Sequence, residues 1–508
     1  MKKILTLGLL LAAFAATAQR MNYEVDMTQS LDTFNIKLEI KGRLNESNKI
    51  FQFASTAPGT YQTMNIGRFV SDFKAFDKKG NEIGVKKLNV NQFEISQPEK
   101  IRSISYRVAE TWDTQVQEYP IYLMCGSSLE TDHALINAHT MMGYFHGLQK
   151  SPINIELNMR PGWTAGTALK GRGKKFKADD YDHAVDSPIL MGNLTYADTK
   201  VAKSDVQIYT YSANNKITSE RLLESMSSML NATREFLIDL PVDKYTFLYH
   251  FEPNPPGITG AWEHSYSSEY ALQENDFNTP EQVQAVTDIA SHEFFHIVTP
   301  LNIHSEIVES FNFVEPTPSV HLWLYEGITE WASNMLLYRA GELSLQDYLD
   351  GAVKQKIIYN NFFDKSWSIA KIAEESFNAE GAKQYGNIYM RGSLFGNLLD
   401  IRLLELSEGK FGLREVLLDL IKKYGKGNPI SEETFFDDLV SMTFPEIKEL
   451  FDDYILGSKS YPMKVYLNKV GIDITGSTPQ TLEVKKMENL TPEQEKLFEA
   501  WSKNLPRN

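Results

Sequence analysis

Two histidines four positions apart, His292 and His296, enclose Glu293 in the run Ser291-His292-Glu293-Phe294-Phe295-His296. On a helix, residues four apart share a face, so both imidazoles can be directed at one metal ion. The carboxylate beside the first histidine can then reach a water without ligating the metal. Zinc suits this set, because it accepts imidazole and carboxylate ligands, acidifies a water and polarises a carbonyl. A catalytic zinc takes three protein ligands, so two histidines leave the set one short. The third candidate lies in His321-Leu322-Trp323-Leu324-Tyr325-Glu326-Gly327-Ile328-Thr329-Glu330. Glu326 is assigned to the metal. Glu330, one helical turn later on the same face, is expected to take the remaining N–H of one histidine ligand. The expectation is one Zn2+ per chain, with Glu293 as the general base that takes a proton from the activated water. The competing reading of Glu326 and Glu330 is a solvated helix face, and the apolar neighbours Leu322, Trp323, Leu324 and Trp331 weigh against it.

These side chains need rigid elements. The helix carrying the histidines should begin at Asn278-Thr279-Pro280, where a capping residue precedes a proline in the first turn. It should end near Val298, because Pro300 disfavours helix at the residue before it. A second helix should cover residues 320–339 and stop at Gly341. Upstream, a helix is expected over 219–237 and a strand over 244–251, followed by the rigid turn Pro253-Asn254-Pro255-Pro256-Gly257. Residues 20 to about 205 alternate apolar and polar side chains, as in Phe34-Asn35-Ile36-Lys37-Leu38-Glu39-Ile40 and Val206-Gln207-Ile208-Tyr209-Thr210-Tyr211, which reads as β structure. Downstream, helical patterns run over 389–406, 411–424 and 445–455, with Ser431 capping another. The fold class is therefore α+β and multidomain. An N-terminal β-sandwich-like domain spans 19–205, a zinc catalytic domain 206–341 and a C-terminal helical domain 342–470, with a short tail at 471–508.

The first eighteen residues read differently. Lys2 and Lys3 precede the apolar stretch Ile4 to Ala13 and the small-residue site Ala16-Thr17-Ala18, the pattern of a secretory signal peptide. No later apolar run reaches the roughly 18 residues of a membrane helix, so no membrane anchor is expected. The protein should be secreted, into the periplasm where the source has two membranes. A net charge of −15 disfavours nucleic acid as a partner. The single cysteine, Cys125, allows no intramolecular disulfide and reads as a small buried apolar residue. Oligomeric state is not legible.

The pairing of His-Glu-x-x-His with a downstream glutamate resembles the gluzincin metallopeptidases. His-Leu-Trp-Leu-Tyr-Glu-Gly is similar to the second zinc motif of zinc aminopeptidases. Gly260-Ala261-Trp262-Glu263-His264 resembles the Gly-x-x-Glu-His/Asn motif of the exopeptidases in that clan, and Tyr389-Met390-Arg391-Gly392 their Tyr-x-Lys-Gly motif. The four occur in the family's order across about 135 residues. His264 in place of asparagine, and the long spacing from His296 to Glu326, resemble the glycyl aminopeptidase family more than the large alanyl and leucyl aminopeptidases. The resemblance implies a thermolysin-like catalytic domain, with Glu263 anchoring the free ammonium of a peptide substrate and His264 helping to position it. It also implies Tyr389 as donor to the oxyanion, with Tyr385 the fallback. Members of that family are often described with a C-terminal PDZ domain, and only about 40 residues follow the helical region here, so no complete PDZ is expected. The leading reading is a secreted zinc aminopeptidase, removing N-terminal residues such as Gly or Ala. A zinc endopeptidase with the same site and an inactive peptide-binding relative stay open at this point.

Overall fold

The computed structural model describes residues 19–425 and 427–503. Residues 1–18, read above as a secretory leader, lie outside the described residues. The fold is α+β, with a multi-sheet β region followed by a sheet-and-helix region that is increasingly helical.

The alternating segments of the first region build one eight-stranded sheet and two four-stranded sheets. At the centre of the large sheet, Arg20–Asp26 pairs antiparallel with Thr33–Lys41 and parallel with Ile153–Asn158. Every second residue of Thr33–Lys41 is buried, namely Phe34, Ile36, Leu38 and Ile40, as the period of two requires. These side chains meet aromatic residues of the smaller sheets, such as Phe51 and Phe93, in one apolar core.

The second region is organised on a five-stranded sheet. Its order is Thr195–Val201, Ser204–Ser212, Lys244–Glu252, Ser267–Gln273, Gly260–His264. The three central strands are parallel, and the outer strand Gly260–His264 runs antiparallel to its neighbour. The helix Ser219–Leu237 makes the crossover between the second and third strands. Thr195–Val201 forms a hairpin with Ser204–Ser212, so this sheet begins ahead of residue 206, where the sequence pattern divides the chain.

Helices cover the sheet. Pro280–Phe295 starts at Thr279, whose hydroxyl accepts from the Gln282 amide while Gln282 returns a bond to the Thr279 backbone. Such a cap contributes about 1 kcal/mol. Helical hydrogen bonding ends at Phe295, and two tighter turns carry the chain to Val298. The next helical segment departs from the expected form, because residues Trp323–Ile328 make one wide π turn before the regular helix Thr329–Ala340. Gly341 ends it with φ +83, a conformation that favours glycine. The long helix Gly386–Leu406 crosses both. Residues 472–502 add a two-stranded sheet and the helix Pro492–Ser502, whose Trp501 is fully buried beside Arg339. One apolar core runs from Val201 to Trp501, so the C-terminal helices and tail share the interior of the sheet region. Among the described residues, no helix is long and apolar enough to cross a membrane.

Candidate active site

The last turns of Pro280–Phe295 and the π turn of Trp323–Ile328 meet at the mouth of a cleft of about 480 Å³. Nε2 of His292 lies 3.5 Å from Oε2 of Glu326, and Nε2 of His296 lies 3.7 Å from the same oxygen. Two ligand atoms on a tetrahedral zinc, at bond lengths near 2.0–2.1 Å, are separated by about 3.3 Å. The three residues therefore fit an ion equidistant from them. The other nitrogen of each ring is engaged. Nδ1 of His292 donates to Glu330 at 2.8 Å, and Nδ1 of His296 to the Thr299 carbonyl at 2.8 Å. Those bonds leave Nε2 of both rings facing Glu326 and available to a metal ion. Glu330 in turn pairs with Lys356.

The electrostatics agree. Burial, acting alone, would lower His292, but hydrogen bonds to Glu326 and Glu330 raise it well above the usual imidazole range. Burial would raise Glu330, yet its bond to His292 and the charge of Lys356 hold it at about 2. Burial, by contrast, lowers His296 to about 4, so of the two rings only His292 is drawn toward the charged form. Glu293 is different. Burial first, then Glu326 and Glu330, push it up to about 8 against the opposing effect of His292. Its Oε2 is buried with no hydrogen-bond partner among the described residues, which marks a carboxylate aimed into the cleft.

The other motif residues divide. Glu263, on the outer strand Gly260–His264, lines the cleft, and its carboxylate lies within 4.8 Å of ligand atoms of Glu293 and His296. Burial, Glu326 and Glu293 all raise its pKa. His264 does not line the cleft; with Glu263 it lines a second cavity, of about 240 Å³, that is not bordered by His292 or His296. It sits 3.5 Å from Asp186. Tyr389 lines the cleft with Glu326, and its ring centroid is 5.7 Å from that of His292. Tyr385 stands 5.8 Å away, ring to ring, also on the cleft wall. His304 bonds the Pro300 carbonyl and Glu309, an ordinary structural histidine.

Residues 22–193 match the Peptidase M61 N-terminal domain, and residues 285–395 match the M61 glycyl aminopeptidase domain. The chain belongs to the M61 glycyl aminopeptidase family. It is accordingly a metallopeptidase. Among solved structures, an aminopeptidase N family protein from Idiomarina loihiensis shares 17% identity at a TM-score of 0.78, with 92% of this chain and 86% of that one covered. An M1 zinc metallopeptidase from Deinococcus radiodurans, a mutant bound to a Tyr-Ser-Ala substrate, shares 13% identity at a TM-score of 0.53, covering 88% and 94%. At such identities the likeness is one of fold. No curated protein sequence matches the chain.

Viewed as a glycyl aminopeptidase family member, the chain has motif glycines with a physical reason. A Cβ on Gly327 would lie 2.5 Å from the Gly392 Cα, and the reverse contact is equally short. Two helices cross backbone to backbone there, which brings Glu326 and Tyr389 together. Arg391 is buried beneath this crossing and donates to the Trp367 carbonyl at 2.6 Å. Sequence reasoning did not find the wall opposite the histidines. Gly59, Thr60, Tyr61, Tyr122, Met124 and Cys125 of the β region supply it. Gly59 has φ +79, and a Cβ there would lie 2.6 Å from the Glu263 carboxylate. A Pro-Gly turn in Pro58-Gly59-Thr60-Tyr61 was the only local signal, and it marks a bend, not a cleft. Lys356 had no signal.

Proposed function

We propose that this metallopeptidase is a zinc-dependent aminopeptidase acting outside the cytoplasm on the free N-termini of peptides, with small residues such as Gly or Ala preferred. His292, His296 and Glu326 would hold the zinc, which when bound polarises the scissile carbonyl and acidifies a water. Glu293 takes the proton of the attacking water. Its raised pKa suits it to hold that proton until the leaving amine receives it. The Tyr389 phenol donates to the oxygen of the carbonyl as negative charge develops there. Glu330 keeps His292 in one tautomer and one orientation. Export is supported by the leader pattern of residues 1–18, and the preference for small residues by family membership.

The observation that carries the exopeptidase reading is Glu263. Its carboxylate is buried in the cleft beside Glu293 and His296, and burial with the nearby Glu326 and Glu293 raises its pKa, which leaves it suited to a cationic group brought by a substrate. An α-ammonium group supplies it through charge-assisted hydrogen bonds. His264, facing the adjoining cavity, would act on the substrate only through the placement of that strand.

A panel of amino-acid amides and short peptides, free and N-acetylated, tests this. Free amines should be cleaved and acetylated ones refused, and Glu263→Gln should cut kcat/KM by roughly 10²-fold for free amines. Equal cleavage of acetylated peptides would instead identify an endopeptidase.

A further inference from the structure

A second set of two histidines and a glutamate lies apart from the cleft, where the β region abuts the five-stranded sheet. His133 begins the strand His133–Ile136 of a four-stranded sheet. His250 and Glu252 sit two residues apart on Lys244–Glu252, hence on one face of that strand. Nε2 of His133 is 3.5 Å and Nε2 of His250 is 3.6 Å from the same oxygen of Glu252. In the cleft the corresponding separations are 3.5 and 3.7 Å. The match is in ligand type and in spacing.

The surroundings are those of a ligand set. His133 is 3% exposed and His250 is 1% exposed, while the Glu252 side chain reaches solvent at 22%. Both Nε2 atoms lack a hydrogen-bond partner among the described residues. Leaving a buried polar atom unpaired costs about 1–3 kcal/mol, so two such atoms aimed at one oxygen call for an occupant. Nδ1 of His133 bonds Asp132 at 3.0 Å, and the Tyr211 hydroxyl donates to that carboxylate at 3.0 Å. A carboxylate behind a ligating imidazole is the usual outer support of a metal site.

We propose that His133, His250 and Glu252 bind a second zinc ion, which braces the β region against the catalytic sheet. Two imidazoles and one carboxylate suit zinc better than magnesium or calcium, which prefer all-oxygen sets. The site does not border the cleft, so its role is structural. It ties a strand of one region to the strand that leads, through the turn at 253–257, into the outer strand carrying Glu263. The two-ion count in wild type rests on the cleft zinc proposed above, whereas the ion kept by His292→Ala/His296→Ala reports the seam alone.

The test is zinc stoichiometry of the full chain, by elemental mass spectrometry after dialysis against buffer with a low zinc concentration. Wild type should hold two ions. His292→Ala/His296→Ala should keep one, and Glu252→Gln should also keep one while cleaving an amide substrate within about twofold of wild type. As a second measure, cobalt(II) loaded into His292→Ala/His296→Ala should give tetrahedral visible bands that His133→Gln abolishes. One ion in wild type with none in His292→Ala/His296→Ala, or two ions retained in Glu252→Gln, would overturn the site. Missing cobalt bands in a folded His292→Ala/His296→Ala variant would do the same, leaving the seam to water.

Discussion

The cleft and the seam hold the same three side-chain types at nearly the same separations, yet only the cleft can do chemistry. Around His292, His296 and Glu326 stand an unpartnered carboxylate, two phenols and a second buried carboxylate, all facing one cavity. Around His133, His250 and Glu252 stand a stacked Tyr211 ring, 3.9 Å from His133, and the edge of Trp112, 4.6 Å from His250. Neither cavity described above is lined by His133, His250 or Glu252. Ligand identity therefore selects the ion, whereas the neighbours select between reaction and support.

Four substitutions would break or sharpen that contrast. The largest effect is expected from the groups unique to the cleft. Glu293→Gln should lower kcat about 10³-fold with metal content unchanged, and Tyr389→Phe about 10²-fold with KM little altered. Steady-state kinetics beside elemental analysis measures both, and full activity in Glu293→Gln would remove the distinction between the two sites. A smaller effect separates their outer supports. Glu330→Ala should weaken metal binding in the cleft about 10- to 100-fold in a chelator competition. Asp132→Ala should weaken the seam by less, because the Asp132 side chain is 64% exposed and its hold on His133 is diluted by water.

The smallest effect concerns His139, a buried histidine that bonds the Cys125 carbonyl and belongs to neither set. Burial lowers its pKa to about 3. The unfolded chain then binds a proton that the folded chain refuses between about pH 6.5 and 3, so stability is complete above 6.5 and falls with pH below it. Its share is at most about 1.4 kcal/mol per pH unit. His139→Gln should flatten that acid limb in thermal unfolding scans. An unchanged slope would show that other buried histidines govern it.

How much of this was legible in the sequence follows from the distance over which each contact forms. His292, Glu293 and His296 share one helix, and Glu330 follows Glu326 by one turn, so spacing alone revealed their common faces. The helix Ser219–Leu237 and the Gly341 stop were equally local. The seam was not legible, because His133 and His250 meet only after two sheets are assembled. Thr195–Val201 alternates like any β-region strand, and only its pairing shows that it belongs with the later sheet. The π turn at Trp323–Ile328 also left no trace, since the same residues suit an ordinary helix. The close crossing at Gly327 and Gly392, a contact between distant segments, falls within that wide turn.

The approach of Gly59 to Glu263 has a consequence for ancestry and engineering. The group that would greet a peptide's first residue is shaped by a turn from the opposite half of the polypeptide. Chimeras that join the front half of one homologue to the back half of another would inherit a mismatched doorway, even with both halves well folded. Lineages should therefore have exchanged these halves rarely, and libraries aimed at new selectivity should vary the turn and the strand as one unit.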